Sequence, residues 1–387
     1  MTITYPPPPT ATEAQTPIWT EAQYPRGAST VVAAAFGIAL GVITFVAVLL
    51  YLFAALGGIA VLIAGLAALV PFGIVALVVR WIDRWEPEPR PALLFALLWG
   101  AGVSVAAALI FDLGINIVAQ FTGVGPTDFT QAVVQAPIVE ETAKGFGVLL
   151  LLWFARRSFD GPIDGVVYAA TAAAGFAFTE NILYFGRTLV ENGIGSSFAV
   201  IFIARGLFSP FAHALFTACT GYALGKAAER TGPFGAIGYF VLGLIPAILL
   251  HALWNGGLSL SRNVLGYYFS VEVPLFLLAV TAVLLLRHRE RTITRQRLGE
   301  YADVGWFSRD EVNLLSSWAG RKHAMQWANR QPQRALKRAA MKRFLRDATR
   351  LGHARHRLSR QRTGIGRTPD EQYLLRSIAR DRAALVA

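Results

Sequence analysis

The sequence predicts an all-α fold: a polytopic membrane bundle of about eight transmembrane helices, followed by a basic helical tail. Three observations carry that expectation. Of 387 residues, 54% are hydrophobic and only 16% are charged, against about 25% charged in soluble globular chains. Residues 27–79 contain no charged side chain. The formal charge of +12 is unevenly placed. From Arg287 onward there are 24 basic and 9 acidic residues, +15, while the preceding 286 residues sum to −3. These features exclude an ordinary soluble enzyme and a disordered chain. One cysteine, Cys219, excludes an intramolecular disulfide and a cysteine-rich metal site.

The elements follow in order. Residues 1–30, with Pro6 to Pro9, read as a disordered leader. They have no basic start and no short apolar core, so they are not a cleaved signal peptide. About 20 apolar residues cross a bilayer as a helix. The uncharged run is long enough for two such spans, and Gly57-Gly58 divides it into 31–56 and 59–80. A third span covers 92–120 and contains Asp112, alone in its span, for which packing or a water cavity is expected. The fourth, 132–155, carries Glu140, Glu141 and Lys144. The fifth, 163–186, carries Glu180, and the sixth, 197–225, carries Arg205 and His213. The seventh, 235–259, carries His251, and an eighth ends at Arg287. Residues 31–287 therefore form the membrane domain and 288–387 the tail.

Basic residues orient the bundle. One alternating set of loops holds Arg80, Arg84, Arg90, Arg156, Arg157, Lys226 and Arg230, and the other holds only Arg187 and Arg262. The positive-inside rule then puts both termini in the cytoplasm. An even number of spans agrees.

Ionisable residues inside a membrane are costly and mark function by default. Lys144 stands four residues from Glu140 and three from Glu141, so it pairs with either on a helix. Phe176 and Glu180 share a face, as do His251 and Asn255. Arg205, Ser209, His213 and Thr217 recur at spacing four. Counted from the span ends, Glu140, Glu141, Glu180 and His251 lie at similar depth in the outer half, and His213 lies deeper. Two adjacent carboxylates titrate apart, giving one base and one proton carrier. Lys144 biases their ionisation. His213 and His251 polarise a carbonyl or hold Zn²⁺ with an open position. Asn255 orients His251 or donates to an oxyanion. The residues alone leave glutamate-activated and metal-activated water both open. GxGxxG, GxSxG, P-loop and HExxH motifs are absent.

The run Glu140-Glu141-Thr142-Ala143-Lys144 has the form EExxK. With Phe176-x-x-x-Glu180-Asn181, His213 and His251-x-x-x-Asn255, it resembles the PrsW family of bacterial intramembrane proteases. That family is related to the CAAX prenyl endopeptidases and the abortive-infection membrane proteins. Asp83-Arg84-Trp85-Glu86-Pro87-Glu88-Pro89 is similar to the family's cytoplasmic signature between early spans. The resemblance covers roughly residues 60–260. It implies a helical bundle in the inner membrane with its site inside the bilayer. It also implies catalytic or metal-contacting roles for Glu140, Glu141, Glu180, His213 and His251, and a single-span anti-sigma factor as substrate. The metal ligands expected from the resemblance are His213, His251 and Glu180, for zinc or another divalent ion. The rival classes are a proton-coupled transporter and a non-enzymatic scaffold.

Two regions outside the spans complete the reading. Asp83 and Glu86 to Glu88 are expected to be solvated loop charges. In the tail, Ser308 and Glu311 form a capping box. Residues 334–351 alternate basic side chains with Leu336, Met341, Phe344 and Leu345. That pattern suits contact with anionic lipids. No nucleic-acid motif accompanies the charge.

Overall fold

The computed structural model describes residues 28–156, 158–359 and 368–386. The leader 1–27 and Arg157 therefore lie outside the described residues. Among the described residues every regular element is helical. Two compact units form: Gly27–Leu286, and a second that contains Arg287–Ala387.

In the membrane unit, α1 (Ala28–Leu56) and α2 (Gly58–Ile82) are separated by Gly57 at φ 81°, a left-handed conformation that favours glycine. Then come α3 (Arg90–Thr122), α4 (Ala136–Phe154), α5 (Pro162–Asn192), α6 (Ala212–Arg230), α7 (Gly235–Leu260) and α8 (Val273–Asp303). Among the described residues seven helical segments are long and apolar enough to cross a membrane. The expected fourth span is the exception. It is helical as α4, yet its 19 residues include Glu140, Glu141 and Lys144. Glu141 pairs with Lys144 on the same helix and with Thr217 and His251 of neighbouring helices.

Among the described residues, four π-helical turns interrupt the bundle. They are Trp99–Ser104 within α3, Gln131–Gln135 before α4, Ile203–Phe208 before α6 and Tyr268–Glu272 before α8. Such turns cluster at functional sites. α6 is further cut off from its leading arm at Ser209–Phe211, where Pro210 supplies no N–H to continue the helix.

α5 is the central helix, with 72% of its apolar window buried. Small residues let its neighbours approach it. A Cβ on Gly165 of α5 would stand 1.9 Å from the carbonyl oxygen of Gly221 on α6, and one on Gly221 would stand 2.2 Å from that of Gly165. Membrane helices associate through such small-residue contacts. This crossing fixes the helices that carry Glu180 and His213.

The second unit has its own core, made by the end of α8 with α9 (Arg309–Leu315), α10 (Trp318–Arg330), α11 (Arg334–Leu358) and α12 (Pro369–Val386). The Ser308 and Glu311 capping box is present. The amphipathic stretch differs from expectation. Met341, Phe344 and Leu345 pack with Leu298, Leu315, Leu375 and Ile378, and only Leu336 stays exposed. The apolar face of α11 is covered by protein rather than left for lipid.

The loop signature between α2 and α3 also differs. Glu88 is buried and accepts from the Tyr168 hydroxyl, while its backbone N–H donates to Asp83 Oδ1 at 2.9 Å. Burial dominates here: it pushes Asp83 up to about 6 and lifts Glu88 well above the usual carboxylate range.

Candidate active site

Glu141 is fully buried on α4, and every partner it has comes from within the bundle. Its Oε1 stands 2.5 Å from Lys144 Nζ and 3.1 Å from His251 Nδ1, and its Oε2 accepts from Thr217 Oγ1 at 2.7 Å. Three residues from three helices thus fix one carboxylate. A buried charge needs such pairing, because desolvation costs several kcal/mol per ion. Lys144 also lies 4.4 Å from the Phe176 ring centroid and 3.2 Å from His213 Nδ1.

Glu140 points the other way. Its Oε2 is 3.6 Å from Lys144 Nζ and 4.0 Å from both His213 Nδ1 and His251 Nε2. It is buried without a hydrogen-bond partner. The two imidazoles meet edge to face, with centroids 5.2 Å apart. His213 Nε2 pairs with Glu180 Oε2 at 3.0 Å. Glu180 in turn pairs with Arg205, whose Nε donates to Asn181 Oδ1 at 3.0 Å. Arg205 also covers the Tyr184 ring at 4.0 Å.

A cavity of about 110 Å³ opens onto this cluster. Glu140, Glu180, Arg205, His213, His251 and Asn255 all line it. Glu141 and Lys144 lie behind its wall.

The sequence-predicted residues therefore converge, with two differences of detail. His251 is oriented by Glu141, whereas the Asn255 amide donates to the Ala132 carbonyl at 2.8 Å. The donor atoms that gather within 4.8 Å of one another belong to Glu140, His213 and His251, while Glu180 sits on the far side of the His213 ring. The spacing-four stripe on the sixth span is not one helix. Arg205 lies on a π-turn, Ser209 at the break, and His213 and Thr217 on α6. Sequence reasoning missed Tyr184, Phe216, which stacks on His251 at 4.9 Å, and the π-turn before α4. Only the aromatic content of the apolar runs hinted at the first two.

A family profile described as PrsW family intramembrane metalloprotease matches residues 88–283, half of the chain. The match spans every residue of the cluster. The chain belongs to the PrsW family. Protease PrsW of Geobacillus kaustophilus is 32% identical over 200 residues, which is 51% of this chain and 78% of that protein. Protease PrsW of Bacillus subtilis is 29% identical over 194 residues, 50% of this chain and 82% of its own. Protease PrsW of Oceanobacillus iheyensis is 37% identical over 127 residues, 33% of this chain and 54% of its own. No solved structure matches. As a PrsW-family protein the chain is a multi-pass intramembrane endopeptidase, and its substrate is a membrane protein.

The metal implied by the PrsW family can be tested against the donor set. His251 Nδ1 faces a carboxylate, so the proton belongs on that nitrogen and Nε2 is bare. By the same reasoning His213 carries its proton on Nε2, toward Glu180, and Nδ1 is left as an acceptor, with Lys144 Nζ at 3.2 Å. These tautomers are assigned from the partners. His251 Nε2, His213 Nδ1 and the Glu140 oxygen then turn lone pairs toward one region, bordered by Lys144 Nζ at 3.2 Å from His213 Nδ1 and 3.6 Å from Glu140 Oε2. Lys144 offsets part of their repulsion, and three such donors within 4.8 Å of one another would also hold a cation. Each imidazole is backed by a carboxylate, as metal-ligating histidines usually are. The residues fit a divalent cation of the two-histidine, one-carboxylate type.

Proposed function

We propose that this protein hydrolyses a peptide bond of a single-span membrane protein, of the anti-sigma-factor kind, near the outer end of the substrate's span. The membrane is the bacterial inner membrane, with both termini in the cytoplasm. The observation that carries the reading is the buried, unpartnered Glu140 oxygen facing two carboxylate-backed imidazoles beside a cavity. That oxygen lies beyond hydrogen-bond reach of Lys144, His213 and His251, at 3.6, 4.0 and 4.0 Å, so a small group between them would satisfy it.

The residues divide the work. Water in the cavity donates a proton to Glu140, and its oxygen attacks the scissile carbonyl carbon. The proton passes from Glu140 to the amide nitrogen as the C–N bond breaks, so the carboxylate acts as base and then acid. Glu141 holds His251 and is itself held by Lys144 and Thr217. Glu180, held by Arg205, orients His213. Glu140, His213 and His251 would hold a divalent cation, which would supply Lewis acidity when bound. Loop and tail charges support the orientation, and the exposed basic residues of the second unit suit the anionic leaflet.

The test reconstitutes the purified protein with a panel of tagged single-span membrane proteins, anti-sigma-factor-like ones included. Glu140→Gln and His213→Ala are expected to abolish cleavage, with a fall of at least about 10²-fold. Metal analysis of the same preparations is expected to find one divalent ion per chain, lost in His213→Ala. Undiminished cleavage by both variants would sink the mechanism.

A further inference from the structure

Asp112 on α3 lies outside every motif used so far. Its Oδ1 accepts from Gln131 Nε2 at 2.5 Å and from Gln135 Nε2 at 2.9 Å. Those two glutamines begin and end the π-turn Gln131–Gln135, which runs directly into α4. From the other side, Asn255 on α7 donates to the carbonyl of Ala132 in the same turn. Ala132, Ala136 and Glu140 follow at spacing four and all line the cavity. The turn is therefore clamped on two faces while a third forms the cavity wall.

The register of that turn decides where Glu140 points. A π-turn holds one residue more than the α-helical turn it replaces, and each residue of an α-helix turns about 100°. Were the turn to relax to α-helix, Glu140 and Glu141 would swing by about 100° relative to residues 128–130. The π form is the rarer one and persists only where its surroundings hold it. In this protein the only side chains bonded to the turn, among the described residues, are Asp112 and Asn255.

We infer that Asp112 is a positioning residue for the proteolysis. Through Gln131 and Gln135 it locks the π-turn that aims Glu140 at the two imidazoles. It acts as an acceptor and not as an acid, because both of its contacts are amide N–H donors to one oxygen. This rests on the proteolytic reading above.

Three variants test it: Asp112→Ala, Asp112→Asn, and the double variant Gln131→Leu/Gln135→Leu. The substrate is the panel member that the parent protein cleaves fastest. A misplaced reacting group costs on the order of 10²-fold. Asp112→Ala is expected to lose about that much kcat with KM unchanged. Asp112→Asn retains the accepting oxygen and is expected to stay within about threefold of the parent. The double glutamine variant is expected to reproduce the alanine variant, and it decides the matter if Asp112→Ala does not fold. A second readout does not depend on activity. Backbone hydrogen exchange over residues 131–139 is expected to quicken in Asp112→Ala and not in Asp112→Asn. Unchanged exchange and kcat in the alanine variant would overturn the inference. So would an asparagine variant as slow as alanine, since that would make the charge essential. A parent protein without cleavage would instead defeat the proposed function and leave the exchange contrast to judge Asp112.

Discussion

Lys144 is the residue on which the buried charges balance. It is fully buried, 2.5 Å from Glu141 and 3.2 Å from His213. Removing one member of a buried ion pair leaves an uncompensated charge and costs about 3–5 kcal/mol, whereas replacing both by apolar groups is often neutral. Lys144→Met is therefore expected to lower stability by that amount, and Glu141→Gln/Lys144→Met to recover most of it. Thermal unfolding in detergent would measure both. Neither variant is expected to cleave substrate, because His251 loses its anionic partner or Glu141 its counter-charge. If the double variant unfolds as readily as the single one, the pair is not the source of the cost. At this scale much of the site was legible. Glu140, Glu141, Lys144, Glu180, His213 and His251 stand out because each is an ionisable group in an apolar run. Asp112 stands out by the same token, but its function was not legible. Its partners lie 19 and 23 residues away, and nothing in the spacing joins them. Glu88 misled for the opposite reason: a charge between two prolines reads as solvated loop, and its burial depends on Tyr168, 80 residues on.

The connection between α2 and α3 shows what an element does with such a burial. Asp83 is raised to about 6, chiefly by desolvation, with Glu86 adding to the rise and the Glu88 N–H and Arg80 opposing it. Glu88 is raised further, by desolvation and then by Asp164, while the Tyr168 hydroxyl works against the rise. The sign follows from linkage. A carboxyl whose folded pKa exceeds its unfolded value binds its proton better when folded. Its contribution is fully present below the unfolded value of 3.8 and is lost as pH rises through about 6. Hydrogen exchange of residues 83–92 is thus expected to show more protection relative to the intrinsic rate at pH 5 than at pH 7.5. Asp83→Asn keeps an acceptor for the Glu88 N–H and should weaken that pH dependence. Asp83→Asn/Glu88→Gln should abolish it, and persistence in the double variant would refute the assignment. Helices themselves were legible as elements, because long apolar runs admit little else in a membrane. The π-turns were not, since each depends on partners from other helices. α4 was expected as the fourth span, although its three charged residues keep its composition from qualifying it as one.

Across the whole molecule the +12 charge resolves into two parts with different work to do. The membrane unit gathers Glu140, Glu141, Lys144, Glu180 and Arg205 at the site. The second unit spends its acids internally: Glu311 pairs with Arg382, Asp381 with Arg343, and Glu300 with Arg297 and Arg355. Four basic residues at spacing four, Arg334, Arg338, Lys342 and Arg346, remain exposed along α11. The sequence revealed this excess of charge but not the fold beneath it, because the core of α11 is completed by α12, some thirty residues later. Excess charge also sets orientation. Seven basic residues occupy one set of loops and two the other, and basic loops are retained on the cytoplasmic side. A fluorescent protein fused after residue 387 is expected to fluoresce, since the tail is then cytoplasmic. A periplasmic phosphatase inserted at 193–195, between α5 and the arm before α6, is expected to be active. The same phosphatase at 231–233, between α6 and α7, is expected to be inactive. The opposite pattern would invert the bundle. It would put the candidate cluster in the inner half of the bilayer instead of the proposed outer half, and with it the expected cleavage position in the substrate.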